Sequence, residues 1–398
     1  MNRFFQRGVF VVSLGLLLAL VAGEFGLRAV RAGSNDDGAY KQISVYSEVL
    51  KKVQTEYVTE PNINDVTTGA LHGLLETLDA DSSYLTPTEY KAFKEHPSDE
   101  TASTGLTVSK RYGYCVVVSV LPGSSAEKEH FSDGDAIESI GSVSTRDLSL
   151  AMIRLMLEGK PGSTVTLSVI RPRKSDPEKV TLTRNAAAAP TMGEQQYENS
   201  SILYLKPIVL SSARVDEIAK HLTAMSKNGN KKVLLDLRDV SAGDEDQGIR
   251  LANLFLKQGT IATLSGQKFV TQTFTADPSK AVTDVPLAIL VNRGTAGAAE
   301  LAAAALADNK RADVVGERTF GEGSIQKTFE LKDGAALLLS VAFYSSPGGK
   351  KILEEAVTPS VLVGPTPEQE ADQDENAPGT KTDAPLNKAL ELLKAKAA

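Results

Sequence analysis

The sequence predicts a multidomain protein of mixed α/β (α+β) class, on three observations. Between about residues 195 and 363, short apolar runs alternate with amphipathic, helix-like runs, the pattern of helices layered on a sheet. A length of 398 residues suits two or three domains, and a hydrophobic content of 41% supports packed cores. Composition also shifts sharply at both ends, from an apolar leader to an acidic stretch containing Pro, Gln and Asn. A net charge of −7 argues against a nucleic-acid partner. The one cysteine, Cys115, lies in the apolar run Tyr-Cys-Val-Val-Val and reads as a buried thiol, with no intrachain disulfide open to it.

Taken in order, Arg3 and Arg7 precede the apolar stretch from Gly8 to Gly23. Residues 1–32 therefore read as a signal peptide or membrane anchor. The stretch sits at the short end of the roughly 17–25 residues that span a bilayer, which leaves anchored and released forms both open. Its leading cations place the body of the chain outside the cytoplasm, in a bacterial envelope, with N-terminal membrane contact. Residues 40–100 form a helical region. Ile43, Tyr46, Leu50, Val53 and Tyr57 make one stripe, and Leu71, Leu74, Leu75 and Leu78 make another. Thr86, Pro87 and Glu89 open a third helix with a cap and a first-turn proline. His72 reads as a surface or packing residue.

In the 195–363 body, Ser201 to Leu205, Val233 to Leu237 and Val285 to Val291 read as buried strands. Ser211 to Met225 and Ala296 to Ala307 read as helices. The last strand feeds a turn at Gly294 and then a helix N-terminus, whose free N–H groups favour negative charge. Within 366–398, the stretch Thr366 to Asp383 reads as a disordered linker. Leu386 to Lys396 reads as a short amphipathic helix, docked or solvated.

Two runs carry the chemistry. Asn292-Arg293-Gly294-Thr295-Ala296-Gly297-Ala298-Ala299-Glu300 and Gly316-Glu317-Arg318-Thr319-Phe320-Gly321-Glu322-Gly323-Ser324-Ile325-Gln326 resemble the active-site segments of the carboxyl-terminal processing peptidases, or tail-specific proteases. That family has the second Ser of Asn-x-Gly-Ser/Thr-Ala-Ser-Ala-Ser-Glu as nucleophile and the Lys of Gly-Glu-x-Thr-Phe-Gly-Lys-Gly-Ser-x-Gln as general base. The resemblance puts Gly297 at the nucleophile's position and Glu322 at the base's, at the family's own spacing. It implies a ClpP/crotonase-like core with an inserted PDZ domain and helical terminal segments. The frame around the two positions matches, including Ala298 and Gln326, whose counterpart in active relatives orients the Lys. A Ser hydroxyl needs an adjacent base, and a Lys serves as one only when its surroundings keep it neutral. Gly297 has no hydroxyl and Glu322 reverses the charge, so no catalytic set is intact. Either loss is expected to remove about 10⁴-fold of rate, because such groups act as a unit.

Leu235-Asp236-Leu237-Arg238-Asp239-Val240-Ser241-Ala242-Gly243 resembles the family's Leu-Asp-Leu-Arg-Asn-Asn-Pro-Gly-Gly, which supplies an oxyanion N–H. Gly243 is kept, while Ala242 is expected to resist a positive φ and misshape the turn. Thr295, Ser241 and Ser324 are the alternative hydroxyls, and Glu322, Lys327 and the four histidines (72, 96, 130 and 221) the alternative bases. Thr295 and Ser324 match non-catalytic family residues. No metal-ligand spacing or phosphate-binding loop is seen, so no cofactor is implied.

Residues 101–187 resemble a PDZ domain, on Thr104-Gly105-Leu106-Thr107-Val108, the strand Cys115 to Leu121, the turn Asp133-Gly134-Asp135 and a helix from Asp147 to Leu157. Such a domain adds a peptide C-terminus to a sheet edge and holds its carboxylate on backbone N–H groups. Gly105, Leu106, Thr107 and Val108 are the expected peptide-binding strand, with Ala151, Ile153 and Leu155 walling the groove. The alternative is a groove without peptide affinity.

The expected function is a non-catalytic pseudoprotease that binds polypeptide C-termini and scaffolds or regulates envelope proteolysis, through a paralogous active protease or a homo-oligomer. The competing readings are a serine-type endopeptidase working through a weak or unconventional site, and a purely structural envelope protein.

Overall fold

A computed structural model describes residues 38, 40–96, 102–172, 176–185, 190–364 and 383–397. The expected leader and most of the acidic linker lie outside these residues. The chain divides into two compact units between Gly69 and Ala70.

In the first unit, residues 40–56 form helix α1, whose apolar stripe is exposed at Ile43 and Tyr46, as is Tyr57 just past its end. Helix α2 (Ile63–Glu76) begins in the first unit and ends in the second, which holds the rest of the chain. Of the helix's three leucines, Leu75 is buried and Leu71 packs beside it, whereas Leu74 stays exposed, as does Leu78 just past the helix end. The stripe is therefore wider than the face it buries. Strand β1 (Ser83–Leu85) leads to α3 (Pro87–Glu95), which opens on a capping box between Thr86 and Glu89 with proline in the first turn.

The next five-stranded path is β2 (Leu106–Arg111), β3 (Tyr114–Val120), β4 (Ala136–Ile140), β6 (Thr164–Ile170) and β7 (Glu178–Thr183), in that spatial order. The short β5 (Val143–Ser144) pairs with β4. Two helices join it, α4 (Ser125–Lys128) and α5 (Leu150–Leu157), the latter capped by Ser149. Strand β2 is an edge, as peptide addition requires. Cys115 is buried, and burial pushes its thiol up to about 12, which leaves it inert.

The core begins with β8 (Gly193–Tyr197), β9 (Ile202–Lys206), α6 (Ser212–Ala224), β10 (Lys232–Asp236) and α7 (Glu245–Asn253). A hairpin of β11 (Thr260–Gly266) and β12 (Phe269–Thr275) follows. Next come β13 (Leu287–Val291), α8 (Ala298–Asp308), β14 (Asp313–Gly316), β15 (Ser324–Glu330), β16 (Ala336–Ser345) and β17 (Val361–Leu362). Strands β17-β14-β13-β10-β9 pair in parallel and β8 closes the edge antiparallel. Every residue of β13 is buried, as a strand covered on both faces must be. A second sheet orders β1-β16-β11-β12, with β15 on β16.

Helices α6, α7 and α8 cover one face of the parallel sheet. The other is covered by the C-terminal helix α9 (Ala384–Ala395), whose Ala389 and Leu393 pack on Ile202, Tyr204, Leu234, Ala288 and Leu290. Docking, rather than solvation, is the outcome for this helix. Lys232 Nζ donates to the carbonyls of Leu393 and Lys396, at 2.7 Å each, and Arg238 holds Asp383 at 2.9 Å at the other end.

Candidate functional site

Strand β13 delivers the chain into a turn that the sequence builds with one asparagine and two glycines. Asn292 Oδ1 accepts the N–H of Asp239 (3.0 Å) and of Gly294 (3.1 Å). A Cβ at Gly294 would stand 2.8 Å from Asp239 Oδ1 and 3.1 Å from the Val118 carbonyl, so the position needs glycine. Thr295 is 0% exposed and donates its hydroxyl to the Leu237 carbonyl at 2.8 Å. That proton is committed, which removes Thr295 as a substitute nucleophile.

Gly297 caps α8 with φ 56° and ψ −120°. A Cβ built there meets nothing within 4 Å. The position thus aims a side chain into open space while supplying none. Behind it, the carbonyl of Ala298 would lie 2.1 Å from a Cβ at Gly248, so glycine lets α7 and α8 cross this closely.

Glu300 braces the two motif segments. Its Oε2 accepts the N–H of Gly297 (3.1 Å) and of Glu322 (2.8 Å). Its Oε1 accepts the N–H of Gly321 (2.8 Å) and the Thr319 hydroxyl. Burial outweighs these four donors and pushes the carboxyl up to about 8.

Glu322 itself turns toward Arg154 of α5, with Nη2 to Oε1 at 3.1 Å. The same guanidinium meets Asp81 at 3.2 Å. Burial holds Glu322 above the usual carboxylate range, partly countered by Arg154 and reinforced by Asp81 and Glu245. Burial raises Glu245 too, with Asp244, Asp246 and Asp81 acting the same way. Position 322 therefore lies between one guanidinium and several carboxyl groups. Ser324 is buried, donates to Asp81 Oδ2 at 3.3 Å and accepts from Gln326 Nε2 at 2.7 Å.

At the third motif, the positive φ angles of the turn fall on Asp239 (64°) and Gly243 (139°), and Ala242 keeps an ordinary backbone conformation. Gly243 admits no side chain, since a Cβ would come within 2.3 Å of the Leu210 carbonyl. Ser241 bonds the hydroxyls of Thr107 (2.9 Å) and Ser119. The loop beside Gly243 is thereby tied to the N-terminal end of β2.

Of the expected groove residues, Gly105 has φ 88° and no room for a Cβ against Ser124. Leu106 and Thr107 are half-buried and Val108 is buried. Ile153 is a correction: at 0% exposure it sits inside the domain's core with Val117, Ile137 and Leu167, and walls nothing. An unbroken apolar helix such as Leu-Ala-Met-Ile-Arg-Leu-Met-Leu gives little indication of which side meets its sheet. Ala151, Arg154 and Leu155 instead line a cleft of about 340 Å³, with Phe93, Gln326 and Leu338. His96 lies there too, 3.3 Å from Glu158. Asp81 and Arg154 were not foreseen. The available signals were the acid in the turn before β1 and the lone cation on an apolar helix. Among the described residues no cluster of ligating side chains suits a metal. No described helix is long and apolar enough to cross a membrane.

Comparison with known proteins agrees with this geometry. The profile of peptidase family S41 matches residues 201–363, and that of the PDZ domain matches residues 102–183. A carboxyl-terminal-processing protease of Picosynechococcus is 34% identical over 313 residues, covering 78% of this chain and 74% of that protein. One from Synechocystis is 32% identical, covering 78% and 74%. Among solved structures, a photosystem II D1 C-terminal processing protease superposes with a TM-score of 0.66 at 26% identity, covering 80% of this chain and 86% of that one. With its PDZ domain, its S41 core and these relatives, the chain belongs to the carboxyl-terminal-processing protease family.

Proposed function

We propose that this chain is a family member that binds polypeptide C-termini without cleaving them, and that it scaffolds or regulates proteolysis by an active relative or within a homo-oligomer. One observation carries the reading: position 297 has the open space of a nucleophile and no hydroxyl to fill it. Glu322, paired to Arg154, has no alcohol to deprotonate. The tail-binding elements are Gly105, just before β2, and Leu106 to Val108 on it, within a PDZ domain at 101–187. Gly243, Ala298 and Gln326 remain as frame in a core at 195–363. Arg3, Arg7 and the apolar run from Gly8 favour export to the cell envelope, anchored or released.

The test is hydrolysis of unstructured proteins with apolar C-termini, beside binding of fluorescent peptides that differ only in a free or amidated C-terminus. Inert protein that prefers the free carboxylate supports the reading. Cleavage by the native chain overturns it. One observation favours an enzymatic alternative, the hydroxyl of Ser324 beside Asp81. That alternative, a serine-type endopeptidase with a relocated centre, requires native cleavage that Ser324→Ala abolishes. Native protein with no preference for a free C-terminus supports a structural role instead.

A further inference from the structure

Arg154 joins three parts of the fold. Through Nη1 it meets Asp81, in the turn before β1, at 3.2 Å. Through Nη2 it meets Glu322 of the core at 3.1 Å and the Val108 carbonyl of β2 at 3.4 Å. Asp81 alone would balance the guanidinium. A second half-buried carboxylate, 24% exposed and raised by burial, is a cost unless its pairing is used. A neutral side chain at 322 would avoid that cost, and a lysine would face Arg154 with like charge.

Other contacts run along the same seam. Arg111 of β2 lies over the Phe320 ring at 4.3 Å, two residues before Glu322. The Ser241 hydroxyl bonds Thr107. Leu85, Tyr90, Ala336 and Leu338 pack into one apolar cluster with Val108 and Leu150. This domain therefore shares its core with its neighbours instead of hanging from a linker.

We propose that Glu322 is a docking group: with Asp81 it clasps Arg154 and fixes α5 and the tail-binding edge of β2 against the core segment that Glu300 ties to Gly297. The proposal rests on the tail-binding reading for its purpose, since a bound C-terminus is then held on a platform that stays closed. The position that would carry a base in an active relative carries an adhesive contact instead.

A double-mutant cycle on the full chain tests it, with Arg154→Met, Glu322→Gln and the pair, read by hydrogen exchange of the amides in 150–157 and 106–111. Strand β13, remote from the clasp, serves as internal reference. Because Arg154 is 40% exposed, each single change is expected to speed exchange by only about fivefold. The pair should add little beyond either single change. Raising salt to about 1 M should move the native protein toward the variants, as screening of a partly exposed pair requires. Single effects that multiply, or exchange that no variant alters, overturn the clasp. Should Arg154→Met unfold the chain, Glu322→Gln against Glu322→Lys decides alone: exchange must be faster for Lys than for Gln. Peptide affinity is measured separately. A coupled cycle in a protein that binds no free C-terminus leaves the clasp standing and removes the tail-binding reading. Tail binding with an uncoupled cycle does the reverse.

Discussion

Restoring a side chain at position 297 should cost stability, by an amount the backbone fixes. Gly297 has φ 56° and ψ −120°, outside the common regions for L-residues. Holding a non-glycine residue in so sparsely populated a region costs about 1–3 kcal/mol. Steric overlap adds nothing, because a Cβ there meets no heavy atom within 4 Å. The whole penalty is therefore conformational, and Gly297→Ala and Gly297→Ser should share it to within about 0.5 kcal/mol. At about 2–4 °C per kcal/mol for a domain of this size, each variant should melt about 2–12 °C below the native chain. Scanning calorimetry on the three proteins gives the answer. Variants as stable as the native chain would mean that the turn is unstrained and does not present a side chain as described. A large gap between Ala and Ser would mean that the hydroxyl has a partner the geometry does not provide.

Three further outcomes are expected. Gly297→Ser with Glu322→Lys should gain cleavage of unstructured proteins well below the ordinary lysine pKa of about 10.4, because burial and the Arg154 guanidinium at position 322 both disfavour a charged lysine and outweigh Asp81 and Glu245; activity that appears only as pH nears about 10 would refute this. Glu300 has its folded pKa raised to about 8, so the folded chain keeps a proton that the unfolded chain has released. Stability should fall as pH rises from about 4.5 to 8 and level off beyond, and Glu300→Gln should flatten that slope; an equally steep slope in the variant would count against it. Leu393→Ala should cost about 2–5 kcal/mol by urea titration, since Leu393 is fully buried where α9 covers the sheet, whereas a cost below about 0.5 kcal/mol would mean the helix is not docked in solution.

Much of the core was legible because its signals are local. A buried strand, Gly294 and Gly297 dictate a tight turn into a helix from consecutive residues, and the runs Val233 to Leu237 and Val285 to Val291 fall on β10 and β13 within two residues at either end. The PDZ motifs are local for the same reason. The missed features depend on residues far apart in sequence. Asp81, Arg154 and Glu322 come from three segments, and no periodicity forecasts that one guanidinium will serve two carboxylates. Ile153 was misassigned because its helix is apolar on nearly every side. The leucine stripe was read as helical and falls on α2 except at Leu78, which lies past the helix end, and only Leu75 of the stripe is buried.

The helix over the back of the sheet bears on the order of biosynthesis. Ile202, Tyr204, Leu234, Ala288 and Leu290 are all made before Ala384–Ala395, the segment that shelters them. A nascent chain that has reached residue 364 already has every strand of the parallel sheet but one bare apolar side. Such a surface attracts chaperones and other unfinished chains alike. Completion of the fold is thus a late event, and a message truncated inside the acidic stretch yields a product marked for capture by its own exposed sheet.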